Sequence, residues 1–113
     1  SDSEDYGQTW CQAYPTELPS NSSGIDVVKI KDVLFLAYNP VAGNWAARTP
    51  LSLVLSGNNG ETWKKTLNIE EGQGSFSYPS VAILKDGVGI TYTWNRVAIS
   101  FVKIKFEFKK NVV

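Results

Sequence analysis

The chain has 113 residues, room for one domain at most, and a compact domain of this size hides roughly two-thirds of its unfolded surface. Lys+Arg and Asp+Glu stand at 11 each, so no net field draws nucleic acid or anionic lipid, and neither is expected as a partner. There is no His, a single Cys and no run of the ~20 apolar residues that span a bilayer, which excludes the commonest general base, an internal disulfide, a cysteine metal cage and a transmembrane helix, and leaves no metal or cofactor expected.

Residues 3–10 read SEDYGQTW, and a strand is predicted over about 9–14, with Cys11 as a small buried apolar residue. The connector 15–23 (PTELPSNSS) carries the sequon Asn21-Ser22-Ser23, which favours a secretory origin. Strands follow at about 24–31 and 33–39, joined by the tight hairpin signal Lys31-Asp32. After the loop 40–49 (PVAGNWAART) come strands at 50–56 and 63–70, and between them 56–63 read SGNNGETW. A second connector, 71–78 (EGQGSFSY), leads to strands at 79–85 and 88–95 around Lys85-Asp86-Gly87, and then to 97–108. The stretches VLFLAYN and LSLVLSG are apolar on both alternations, so both faces of that sheet are expected to be covered. Residues 103–113 (KIKFEFKKNVV) run past the expected third strand and are left to pair elsewhere or fray.

The two octapeptides share Ser-x-(Asp/Asn)-x-Gly-x-Thr-Trp and recur with a period of about 50 residues, four short antiparallel strands per unit, which is the signature of a β-propeller. The predicted fold class is therefore all-β, with 1–113 a partial propeller domain of about two four-stranded blades. Residues 1–14 end one blade, 24–70 form a full blade, and 79–108 give the inner strands of the last. Blades bury their faces on neighbours, and two alone leave two broad apolar faces wet. The expected partners are thus the remaining blades, whether from the same parent chain, a second fragment or other copies.

Each octapeptide falls at the turn between the third and fourth strands of a blade. Gly7 and Gly60 allow φ > 0, Asp5 and Asn58 accept bonds from the turn's own N–H groups, Ser3 and Ser56 bond locally, and Trp10 and Trp63 fold back as plugs. Every residue type has a structural task, so the motif is scaffold. It resembles the Asp-box, the BNR repeat of sialidases and other propeller proteins, with Asn58 where Asp is usual.

The octapeptides and hairpins mark one end of the strands, and the opposite end collects Asp26, Asn39, Trp45, Arg48, Tyr78, Trp94 and Arg96. Aromatic platforms, planar amides and an Arg able to fork onto a carboxylate are the materials of a carbohydrate site. Each also has a plainer role: Arg48 in an ion pair, Tyr78-Pro79 as a strand start, Asp26 as a cap, Asn39-Pro40 as a turn, Trp94 packed between blades.

The segment 34–95 resembles the last two blades of the sialidase superfamily, and with "SGID" at 23–26 and "YN…RTPL", "SYP" and "TYTW" after it the chain resembles most its BNR-repeat, sialidase-like branch. The resemblance covers residues 3 to about 106 and implies part of a six-bladed propeller. It puts Arg48 in the place of a carboxylate-gripping arginine and Tyr78 in that of the nucleophilic tyrosine. Pro79 follows Tyr78 where the family has Ser or Thr, and Thr93 stands at the place of a supporting glutamate. The acid/base aspartate, the glutamate that activates the tyrosine and two further arginines fall outside the chain. A free phenol titrates near 10 and attacks poorly without a neighbouring base, so the segment alone should be inactive. Three functions stay open: a sialidase-like glycoside hydrolase acting on an acidic glycan, a lectin-like carbohydrate-binding module, and a purely structural module.

Overall fold

The computed structural model describes residues 1–108; positions 109–113 of the C-terminal extension lie outside the described residues. Strands β1 (Asp26–Ile30), β2 (Val33–Tyr38), β3 (Leu51–Ser56) and β4 (Lys64–Glu70) form one antiparallel sheet in chain order. Strands β5 (Phe76–Leu84), β6 (Gly87–Trp94) and β7 (Ala98–Lys105) form a second. No helix occurs among the described residues. Both sheets are simple meanders, the arrangement expected of successive propeller blades.

Alternation along the strands explains how the sheets stack. Phe35 and Ala37 of β2 and Leu51 and Leu53 of β3 point to the second sheet, where Val81 of β5 and Val88, Ile90 and Tyr92 of β6 meet them. Burial of side chains of this size contributes about 1.5–3 kcal/mol each, so this seam is the main source of stability. The other face of β2 and β3 is also buried, as their two-sided apolar pattern predicts: Leu36, Tyr38 and Val54 are covered by Leu18 and Trp63. Leu18 of the 15–23 connector and Trp63 of the second octapeptide thus cover this face. The outer face of the second sheet remains open, with Ile99 and Phe101 exposed.

Three expectations are corrected. Residues 9–14 form no strand, because a strand exists only through its ladder and no partner strand for this segment lies among the described residues. Cys11 is exposed rather than buried, since the segment carrying it packs into neither sheet. β5 starts at Phe76, three positions before the predicted 79, and β7 stops at Lys105. Past that point Phe106 turns back: its N–H donates to the Asp86 carbonyl at 3.1 Å and its ring stacks on Phe35, centroids 4.7 Å apart.

Both octapeptides fold alike. The Ser3 hydroxyl accepts from Gly7 N–H and donates to Asp5, and Asp5 accepts from the N–H and hydroxyl of Thr9. Ser56, Gly60, Asn58 and Thr62 repeat the pattern, with one proton reversed: the Asn58 amide donates to the Thr62 hydroxyl. Each tryptophan lies over its glycine, and a Cβ at Gly7 or Gly60 would stand 3.6 Å from the indole. The Asp5 carboxyl is held down to about 2, first by the Thr9 side-chain hydrogen bond and then by the Thr9 backbone. The Ser, Asp/Asn, Gly and Thr positions thus bond to one another within each motif, while the tryptophans differ: the Trp10 indole N–H donates to Gly7 C=O, and the buried Trp63 indole N–H has no partner among the described residues.

Candidate functional site

The β2–β3 loop, the connectors before β1 and β5 and the β6–β7 turn all lie at the strand ends opposite the octapeptides. Their backbones are bonded to one another. Arg48 C=O accepts from Phe76 N–H at 2.8 Å, Thr49 hydroxyl donates to Gly72 C=O at 2.7 Å, and Asn21 amide donates to Ala47 C=O at 3.2 Å. Ala47 is therefore anchored by the 15–23 connector, Thr49 by the connector before β5, and the Arg48 carbonyl by the second sheet.

Tyr78 owes its presentation to a break in β5. Ser77 pairs with Thr93 and Ser80 with Thr91, so one extra residue bulges out between them. Tyr78 takes φ +53° and the residue is 62% exposed. A bulky residue in the left-handed region is costly, by about 1–3 kcal/mol, and such outliers concentrate at working sites. The ring lies beside Gly24, where a Cβ would come within 3.2 Å of Cδ1, and the Arg48 guanidinium stands over it, 5.1 Å from the centroid. Beside the bulge, the buried Ser77 hydroxyl has no partner among the described residues.

On its other side Arg48 lines a cavity of about 540 Å³, shared with Asn21, Ser22, Asn44, Trp45, Ala46, Ala47, Gly74, Ser75 and Arg96. Trp45 is almost wholly exposed at the third position of a turn closed by Ala46 N–H on Gly43 C=O, with φ +66°. The non-glycine residues with positive φ divide cleanly. Tyr6, Lys31 and Asn59 serve the octapeptide and hairpin turns, whereas Ser22, Trp45, Tyr78, Asn95 and Arg96 all lie at this end.

Two of the predicted site residues have another task. Asn39 is buried: its amide donates to Pro50 C=O at 2.8 Å and Phe76 C=O at 3.0 Å, and its Oδ1 accepts from the Ser23 hydroxyl at 2.9 Å. Asp26 accepts from Val81 N–H at 2.7 Å through Oδ2 and from Val27 N–H through Oδ1. Both have their polar atoms engaged within the fold, each with one bond to the second sheet, Asn39 to Phe76 and Asp26 to Val81. Trp94 sits at the end of β6, partly exposed, and does not line the cavity. The structure thus brings together Arg48 with Tyr78, and Arg48 with Trp45 and Arg96. The cavity lining also includes Ser22, Asn44 and Ser75, none of them singled out from the sequence as a site residue: Ser22 figures there only as part of the sequon, and Asn44 and Ser75 carry no signal beyond their place in connectors.

The sequon has a structural use as well. Asn21 is buried, its Oδ1 accepts from Ser23 N–H in an Asx turn, and the amide nitrogen that a glycan would need donates to Ala47 C=O.

The family model of the BNR repeat-like domain matches residues 1–90. The chain belongs to the BNR repeat-like family. Neither a curated protein nor a solved structure gives a significant match. For the BNR repeat-like chain, the all-β fold and the paired octapeptides agree with the membership. The match takes in both octapeptides, Arg48 and Tyr78 and stops inside β6. Among the described residues of this BNR repeat-like chain, no group of three or more His, Cys, Asp and Glu is placed to hold a metal ion.

Proposed function

We propose that the chain is part of a sialidase-like propeller that binds and processes an acidic glycan at the face carrying Arg48 and Tyr78. The two sheets are one full blade and the inner strands of the next, and the remaining blades complete the propeller. The observation that carries this reading is the Arg48–Tyr78 pair: an exposed tyrosine forced out of a strand by a bulge, under a guanidinium in no ion pair among the described residues. Arg48 forks onto the substrate carboxylate, and the Tyr78 hydroxyl oxygen attacks the anomeric carbon as the aglycone departs. A base to take the phenolic proton and an acid for the leaving group come from the other blades.

One observation favours a second reading, a binding module without turnover. Asp26 is the only carboxylate among the candidate residues, and both its oxygens are engaged by backbone N–H groups. The two readings separate in the intact protein assayed on acidic glycosides. Tyr78→Phe should abolish turnover and keep binding if the tyrosine is the nucleophile. Loss of binding alone makes Tyr78 a platform, and loss of neither removes it from the site. Arg48→Ala should weaken an acidic sugar by about 1.5–3 kcal/mol and leave its neutral counterpart unchanged. Equal losses on both would sink the carboxylate role.

A further inference from the structure

The cavity next to Arg48 is lined by a second arginine that the Arg48–Tyr78 chemistry does not use. Arg96 reaches it from the β6–β7 turn, on the other sheet from Arg48. The residues that line the cavity include no Asp or Glu, although acids and bases balance over the whole chain. Nearby carboxylates are committed elsewhere: Glu70 accepts from the Tyr92 hydroxyl, Glu71 from the Asn68 amide, and Asp26 from backbone. Two arginines therefore line one concave space whose wall includes no carboxylate.

The Arg96 backbone is also held where an arginine does not belong. Val97 N–H donates to Trp94 C=O at 3.1 Å across Asn95 (φ +49°) and Arg96 (φ +57°), a type I′ turn, whose second central position is ordinarily glycine. Asn95 is fixed to Ser75 at two points, its N–H donating to Ser75 C=O at 2.7 Å and its Oδ1 accepting from Ser75 N–H at 2.8 Å. The turn is thus clamped to the cavity wall, and the strained residue at its tip is a cation rather than the glycine that the backbone prefers. Beside it Trp45, equally strained, offers an indole face of the kind on which sugar rings stack.

From this juxtaposition we infer that the cavity is a second anion subsite, and that the glycan carries acidic groups on two neighbouring sugars. One sugar puts its carboxylate on Arg48 beside Tyr78. The next lies against Trp45 with its carboxylate or sulfate on Arg96. A space of about 540 Å³ is within the range of sites that enclose a ligand of this size. The inference rests on the proposed glycan reading and names the class of substrate, an oligosaccharide with repeated acidic groups.

The test compares single uronates, uronate disaccharides and singly sulfated uronate disaccharides, each against a neutral sugar of the same size, by calorimetry on the intact protein. The dianionic members should bind about ten-fold tighter than the monoanionic ones, and Arg96→Gln should erase that advantage. Uronate and sulfate disaccharides tell the carboxylate and sulfate sources apart. Arg96→Gly should erase the same advantage and raise the melting temperature, since it gives the turn its preferred residue. Equal affinity for mono- and dianions overturns the subsite while leaving the Arg48 reading intact. A fall in melting temperature on Arg96→Gly assigns Arg96 to the fold and overturns it as well. Loss of single-uronate binding in Arg48→Ala tests the underlying reading separately.

Discussion

Replacing Asn39 by Ala should destabilise the chain without touching a ligand contact. The amide bridges the Pro50 and Phe76 carbonyls, on either side of the seam, at 2.8 and 3.0 Å. Alanine leaves both carbonyls without this donor in a buried place, and each such loss costs roughly 1–2 kcal/mol, giving about 2–4 kcal/mol in all. The Ser23 hydroxyl is less affected, because Asn21 Oδ1 is a second acceptor. That cost is a large share of the 5–15 kcal/mol typical of a small domain. Urea unfolding followed by tryptophan fluorescence reads it directly, as a lower midpoint at an unchanged slope. Asn39→Asp sharpens the test, since its carboxylate would face two carbonyl oxygens and its folded pKa would rise above the unfolded value. The neutral form is favoured in the fold, so this variant should be least impaired at acid pH and lose stability as pH rises through the unfolded value of about 4. A cost below about 0.5 kcal/mol for Asn39→Ala would refute the bridging role and return Asn39 to the ligand face.

The remaining predictions address other parts of the molecule. Asp5 is held down to about 2, so its contribution is complete above the unfolded carboxylate value of 3.8 and is lost as pH falls through about 2; the Thr9 amide shift should titrate there, and the Thr62 amide, bonded to Asn58, should not. Tyr92 is pushed up to about 12, chiefly by burial and then by its bond to Glu70, so its share of stability is intact below about 10 and is lost as pH rises through about 12. Absorbance at alkaline pH should show one late-ionising tyrosine that Tyr92→Phe removes. Gly87→Ala places a Cβ 1.9 Å from the Ile104 carbonyl oxygen and should cost more than about 3 kcal/mol, read as a lower urea midpoint. Expressed in a secretory host, the folded product should carry an unmodified Asn21 by intact mass, because its amide is committed to Ala47.

Much of the fold was legible because alternation and turn chemistry are local. Two-sided apolar strands at 33–39 and 50–56 could only be an inner sheet, and the octapeptides fix their own hydrogen bonds within eight residues. The failures came where the deciding partner is distant. Nothing near residues 9–14 shows whether a ladder partner exists, and nothing near Asn39 shows that its amide will meet Phe76 rather than a sugar. For the site, Arg48, Tyr78, Trp45 and Arg96 could be placed at one end by counting strands. Their left-handed backbones could not, since Tyr78, Trp45 and Arg96 are residue types that seldom adopt that conformation, and only the bulge and clamped turns impose it.

The links across the seam are unevenly distributed. Asn39 to Phe76, Asp26 to Val81, Arg48 to Phe76 and Tyr92 to Glu70 all join the sheets near the candidate site, while the far end is closed by the Phe35–Phe106 stack. The sheets are riveted at one margin and wedged at the other, so they cannot part like the covers of a book without undoing the site first. The amides of Phe76 and Val81 should therefore exchange with solvent only when the whole molecule unfolds. Heating would leave the site's shape intact up to the melting transition and destroy it there, with no intermediate range in which the chain is folded but the site is loose.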